Sequence, residues 1–382
     1  MPDYGLDIAV PYTGDPDPTL PWADDDDALL VPGSIMLVDF AHSSSPVSGL
    51  PAIGSSIPNI AWKRLRDAVG SAVFTGRIDN GTVGTAGNLM TVTAIAAGKI
   101  MPGQVLTGTN VATGVMVLSQ VSGTTGGPGV YNVVSTTSSS VTFNVTTTTI
   151  TANPVDATSG AFTLLGSNDN SQAFARERTP KGGLHVAASQ TNQGTDNQYN
   201  SIDSSRAAKA WLLANPSHSY YFSFWDTVTK PAVDTGNTPP QMVFNTLLGG
   251  GTSNYFTVMN FKDTVNNLPV SGNANRLGYV DSQGTPNSLG NRFRNMGINQ
   301  ATGAFSGLLG AAFIAGQTGA WSQAATYGNK SASRIWYRAY VEDLTLSGRT
   351  YADVSSQDQA LWAAAFGAGG RYNGDTYTAP TI

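Results

Sequence analysis

Only two glutamates, Glu177 and Glu342, stand in the 382 residues of this chain, with three histidines, His42, His185 and His218, and no cysteine. These are the residue types that carry acid–base, nucleophilic and metal chemistry. Cleaving a glycosidic bond takes two carboxyl groups roughly 5–9 Å apart. The segment VEDL sets Glu342 beside Asp343. Neighbours on a strand point to opposite faces, so the two are not expected to work as a pair. The histidines are scattered, with no i, i+4 spacing that would suit zinc. They are expected at the surface or as caps. There is no G-x-S-x-G elbow and no P-loop lysine, and GTVGTAGN reads as a linker. No catalytic residue, metal or cofactor is expected.

Two other stretches invite a binding reading. WADDDDALL (Trp22–Leu30) concentrates four aspartates, Asp24 to Asp27. Like charges in a row repel and stay wet, so a solvated acidic loop is expected. The alternatives are an arm docking on a basic partner and a Ca²⁺ site whose spacing departs from an EF-hand loop. The second stretch is YYFSFW (Tyr220–Trp225). Alternation sends Tyr220, Phe222 and Phe224 to a core, and Tyr221, Ser223 and Trp225 to the other face. Tyr221 and Trp225, together with Trp336, are the candidate contacts to another subunit or to a sugar ring.

Composition sets the frame for these residues. Charged residues make up 12% of the chain, against about 25% in an average globular protein. Hydrophobic residues make up 40%, which excludes a disordered chain. Nine aspartates precede Lys63, the first basic residue, so the rest of the chain is slightly positive. No basic stripe suggests nucleic acid. No apolar run approaches the roughly 20 residues that span a bilayer. MPDYGLD lacks the charge and apolar core of a secretory signal, so synthesis in the cytoplasm without the standard export route is expected.

The elements follow from patterning. Residues 1–58 are rich in Pro, Asp and Ser and are expected to form an extended docking arm, with SIMLVDF as one strand within it. Residues 85–151 alternate apolar with small polar residues and carry one charge, Lys99, so they predict a small β-module inserted in a host domain. In VSGTTGGPGVYNV, Gly123, Gly126, Gly127 and Gly129 predict positive φ at a hairpin tip. Residues 59–84 and 152–350 form the host: an all-β, jelly-roll-like (concanavalin-like) β-sandwich with one or two short helices. NIAWKRLRDAVGS (Asn59–Ser71) reads as a structural surface turn, with a short helix as the alternative, and DSSRAAKAWLLANP (Asp203–Pro216) predicts a helix capped by Asp203 or Ser204. Residues 351–382 are expected to hold a last helix over Ser355–Gly367, with Leu361, Ala365 and either Trp362 or Phe366 buried, followed by a tail.

The stretch MTVTAIAAGKIMPGQVLTGTNVATGVMVLSQVSGTTGGPGVYNVVST (Met90–Thr136) resembles a small β-module of tailed-bacteriophage structural proteins. The likeness lies in its rhythm: a strand, then G.I..GQ.L.GT.V..G, then a glycine-rich turn and G.Y.V. The ending YRAYVEDLTLSGRTYADV…FGAGGRYNGDTYT is similar to the C-termini of phage virion proteins. The resemblance implies a virion component exposed on the particle, such as a fibre, baseplate, neck or decoration protein, made in the host cytoplasm. The expected partners are other virion proteins and copies of itself, arranged as homotrimers. A receptor-binding protein that recognises a host surface glycan is the alternative, followed by a polysaccharide depolymerase. No nucleic acid and no membrane insertion are implied, and no catalytic residues transfer with the resemblance.

Overall fold

The protein is described here from a computed structural model. It describes residues 27–42, 49–135, 142–158, 160–166, 174–189, 199–203, 205–215, 217–231, 242–247, 255–260, 281–282, 289–298, 313–319 and 332–378. The chain is mostly β, with two sheets and one closed barrel.

The first sheet has the order β10 (Phe174–Arg178), β11 (Leu184–Ala188), β19 (Ser333–Asp343), β13 (Tyr220–Lys230), β17 (Gly290–Ile298), β16 (Asp281–Ser282). A further strand, β1 (Ser34–Asp39), pairs with the C-terminal half of β19, next to the half taken by β11. The second sheet has the order β15 (Tyr255–Asn260), β14 (Met242–Leu247), β18 (Phe313–Gly319), β12 (Tyr199–Asp203), β9 (Phe162–Gly166), β2 (Ser56–Ile57). Apolar residues of both sheets meet in one cluster: Met36, Leu184, Phe222, Phe224, Trp336 and Val341 from the first, Ile57, Phe162, Leu164 and Ile202 from the second.

The strand β1 corrects the expected arm. All six of its residues are buried, and Asn59 locks it in place by accepting from Leu37 N–H and donating to the Ile35 carbonyl. The described residues 27–42 and 49–58 of the expected arm therefore belong to the body, whereas residues 1–26 and 43–48 lie outside the described residues.

The module is a closed barrel of β3 (Ala72–Asp79), β4 (Leu89–Gly98), β7 (Gly129–Ser135), β6 (Val115–Gly123), β5 (Val105–Gly108) and β8 (Val145–Asn153). It is larger than the expected 85–151, because β3 closes it between β4 and β8. Phe74, Met90, Val117, Tyr131 and Ile150 fill its interior. Closure leaves no unpaired edge, so a unit this small is stable against edge pairing. The glycine-rich stretch is the β6–β7 hairpin. Gly123, Gly126 and Gly129 have positive φ, as expected, whereas Gly127 does not. The Gln120 amide accepts from Gly126 N–H and donates to the Thr124 carbonyl, and Tyr131 OH donates to the Gly127 carbonyl at 2.6 Å.

The barrel is fused to the body along one side. Met116, Leu118 and Val134 turn outward from it into the body core, beside Leu65, Val69 and Trp211. Leu65 and Val69 belong to α1 (Trp62–Val69), and Trp211 to α2 (Arg206–Ala214). Gln104 is fully buried at this seam, its amide nitrogen 3.3 Å or less from the carbonyls of Val69, Gly70 and Lys99.

The helices are more numerous than expected. Ser205, one residue beyond the predicted positions, caps α2 by accepting from Ala208 N–H. After β19 come α3 (Leu344–Ser347) and α4 (Tyr351–Phe366). Thr350 opens α4 with a capping box to Asp353, five residues before the predicted Ser355 cap. Gly367 ends it in extended rather than left-handed conformation. Among the described residues, no helix is long and apolar enough to cross a membrane.

A Cβ on Gly123, at φ +103°, would lie 2.3 Å from the Pro128 carbonyl oxygen. Gly123→Ala is therefore expected to destabilise the barrel by about 1–3 kcal/mol. Thermal unfolding followed by circular dichroism checks this, and an unchanged Tm would show that the turn does not hold the hairpin.

Candidate functional site

The site is built on a register shift in β19. Trp225 of β13 faces Arg338, but the next residue, Asp226, faces Trp336, so Tyr337 is an extra residue on β19. Such a bulge turns two consecutive side chains to one face. Tyr337 and Arg338 therefore both point to the outer face of the first sheet, away from the second sheet. Tyr221, Ser223 and Trp225 of β13 share that face, which α4 covers.

All three rings singled out from the sequence are buried. Tyr221 and Trp225 lie under α4, donating from Oη and Nε1 to the two oxygens of Asp358 at 2.9 and 3.1 Å. Trp336 faces the shared core between the sheets. The expected exposed contact set is thus an intramolecular one, because the chain supplies its own covering helix. Asp358 is the residue that sequence reasoning missed. Its signal is an acidic residue within the apolar stripe Val354, Leu361 and Ala365, at helical spacing. Burial pushes its carboxyl up from the ordinary value, against the pull of Arg338 and its hydrogen bonds.

Beside this contact a cleft of about 350 Å³ opens between α4, β19 and the N-terminal segment. Its lining includes Asp27, His42, Arg338, Leu361, Ala365 and Arg371, with Trp225 as the floor. Arg338 lies over the Trp225 ring, 4.8 Å from its centroid, and holds Asp27 with both terminal nitrogens. Asp39 accepts from Arg338 at 3.3 Å, from Tyr372 OH at 2.6 Å and from Arg371. Burial raises the Asp27 carboxyl, but the charge and hydrogen bonds of Arg338 prevail and hold it below its ordinary value. Burial likewise disfavours charged Arg338, and Asp27 and Asp39 outweigh that effect. The bidentate fork is a strong, geometrically specific contact.

For Asp27 this arrangement corrects the expected solvated loop: the residue is buried and docks on a basic residue of its own body. Asp24, Asp25 and Asp26 lie outside the described residues. Among the described residues, no group of three His, Asp or Glu is placed to hold a metal.

Several other described acids and histidines also form structural pairs. Glu342 and Asp343 point to opposite faces, as expected. Glu342 accepts from Tyr340 OH at 2.7 Å and from Arg349. Asp343 accepts from Trp211 Nε1 at 3.0 Å, pairs with His218 Nδ1 at 2.7 Å and caps α3 through Leu346 N–H. On the inner face, Asp226 joins Arg294 and Arg334, each at 2.7 Å. Burial, then the like charge of Arg294, brings the Arg334 guanidinium down to about 10, against the pull of Asp226. His185, expected at the surface or as a cap, is buried against Glu177.

Removing Arg338 leaves the buried Asp27 carboxylate without its cation and Asp39 with Arg371 alone. Arg338→Met is expected to lose roughly 3–5 kcal/mol, read from urea denaturation. A loss below about 1 kcal/mol would place the pair among weak surface contacts. Burial holds the imidazole of His185 below its ordinary 6.5, against the pull of Glu177. Stability carried by its neutral form is complete above that value and declines as pH falls through it toward the folded-state value. Between about pH 7 and pH 5, wild type should lose stability more steeply than His185→Gln; parallel slopes would contradict this. Comparisons with protein-family models, with curated proteins and with solved structures found no match for this chain.

Proposed function

We propose that this chain is a structural component of a tailed-phage virion, assembled through its N-terminal segment and through the uncharged surface of its barrel. Its body is a jelly-roll-like sandwich, a reading supported by the apolar cluster that the two sheets share. The observation that carries the functional reading is the barrel surface. Residues 72–153 contain three charged residues, Arg77, Asp79 and Lys99. Arg77 and Asp79 pair with each other at 2.6 Å. The outward strand faces present Thr93, Ala94, Ala96, Thr107, Thr146 and Thr149 to solvent. Depletion of charge is the compositional mark of surface that becomes interface, and many modest contacts sum by avidity in a multivalent particle.

The clamp between Asp27 and Arg338 gives the preceding residues a fixed point of departure from the body. The chain's partners on this reading are other virion proteins and copies of itself as trimers, and its place is the particle. Recognition of a glycan through Tyr221, Trp225 and Trp336 would need those rings at the surface, and all three are buried.

Because β1 is part of the first sheet, a test of the arm must spare it. A variant lacking residues 2–26 is expected to keep the wild-type Tm and to fail to enter particles when it replaces the full chain. Normal loading of that variant would sink the arm reading. Thr93→Lys with Thr149→Lys, on the barrel surface, should leave folding intact and lower incorporation. Unchanged incorporation would remove the barrel from the assembly surface.

A further inference from the structure

Three polar side chains from three strands meet on the first sheet, outside the cleft. Glu177 stands on β10, His185 on β11 and Thr229 on β13. Glu177 Oε1 lies 2.6 Å from His185 Nδ1, and Thr229 Oγ1 lies 2.9 Å from His185 Nε2. A carboxylate only accepts, so it fixes the imidazole proton on Nδ1 and leaves the Nε2 lone pair facing the threonine hydroxyl, which donates. Burial keeps the imidazole below its ordinary pKa, against the pull of Glu177, so the neutral form that can take a proton is favoured. His185 is 2% exposed, whereas Glu177 and Thr229 keep partial exposure.

The segment after α4 crosses this array. The Tyr377 ring stands edge-on to the imidazole at 4.9 Å, with its hydroxyl 3.5 Å from the Thr229 carbonyl oxygen. Thr378 OH donates to the second oxygen of Glu177. Asp375 fastens the segment by accepting from Thr179 OH at 2.6 Å, Lys181 N–H at 3.0 Å and Tyr337 OH at 2.8 Å. Tyr377 is itself 43% exposed, so the ring that covers the imidazole lies at the surface.

An alcohol, a base hydrogen-bonded to it and a carboxylate orienting that base make the arrangement that activates a hydroxyl for acyl transfer, and it is recognised by geometry rather than by sequence order. We propose that Thr229, His185 and Glu177 form an acyl-transfer site, with Thr229 as nucleophile and an activated carboxylic ester, presented where Tyr377 now lies, as donor. Thr229 Oγ bonds to the acyl carbon, and the bond from that carbon to the leaving oxygen breaks. The threonine proton passes through His185 Nε2 to the leaving oxygen. Water then attacks the threonyl ester, giving the free acid and returning a proton to Thr229. This activity stands independently of the assembly reading.

The test uses the full chain and p-nitrophenyl acetate, with acetylated residues mapped by peptide mass spectrometry. Tyr377→Ala should raise both nitrophenol release and acetylation of Thr229 above wild type, and Thr229→Val should abolish the adduct. Glu177→Gln, which preserves side-chain size, and His185→Ala should each lower Thr229 acetylation, the latter by roughly a hundredfold or more. Circular dichroism confirms that each variant is folded, and Glu177→Gln decides the matter where His185→Ala does not fold. Acetylation confined to lysines and tyrosines in Tyr377→Ala, or Thr229 acetylation that ignores Glu177→Gln, overturns the proposal and leaves the array as a brace between β10 and β13.

Discussion

A guanidinium buried on the outer face of a sheet is the constraint around which this molecule is arranged. Arg338 is 1% exposed in the middle of β19. A charge taken out of water needs paired carboxylates, and the strands that flank β19 over most of its length, β11 and β13, supply none to it on that face. They come from the N-terminal segment: Asp27 in the turn before β1 and Asp39 at its end. The third side of the charge is the Trp225 ring, held in turn by Asp358 of α4. Arg371 and Tyr372, beyond α4, close on Asp39. Segments from near both ends of the described chain thus converge on one side chain of one strand.

The central strand can carry this charge because it is covered on both faces. All eleven residues of β19 are buried, although the strand contains two arginines, a glutamate and an aspartate. Its inner face meets the second sheet, and its outer face meets α4 and the segment that follows it. The Tyr337 bulge separates the two sets of charges. Arg334 turns inward to Asp226, whereas Arg338 turns outward to Asp27. Without the extra residue, alternation would place both arginines on one face, and one of them would lose its carboxylate.

The barrel is stabilised by a different means. It has its own apolar interior and closed ladder, and it adheres to the body through Met116, Leu118 and Val134 and the Gln104 amide. This seam fixes the side that remains free, and that side is covered by threonine and alanine. A rigid attachment matters for a contact surface, because an interface held in place loses less entropy on association. Among the described residues, the body buries the ion pairs of Arg294, Arg334 and Arg338, whereas the barrel carries almost no charge on its outer surface.

Local features of the sequence were sufficient for strands such as β4 to β7, β11, β13 and β19, for α2, for the glycine turn and for the opposed faces of Glu342 and Asp343, because each depends on a period of two or 3.6 residues or on a residue that tolerates positive φ; they were not sufficient for β9, β10, β12, β17, β18 and α1. The independent β-module was legible for the same reason, apart from β3, whose pairing with both β4 and β8 is not a local property. Tertiary structure alone decided that Tyr221, Trp225 and Trp336 are covered, because alternation assigns a side chain to a face without saying what lies over it. It alone decided that Asp27 meets Arg338, 311 residues away, and that Glu177, His185 and Thr229 meet across β10, β11 and β13. Those contacts depend on strand order and on two register shifts between β13 and β19, one at Tyr337 and one at Thr229. No period in the chain encodes either, since a register shift changes partners without changing composition.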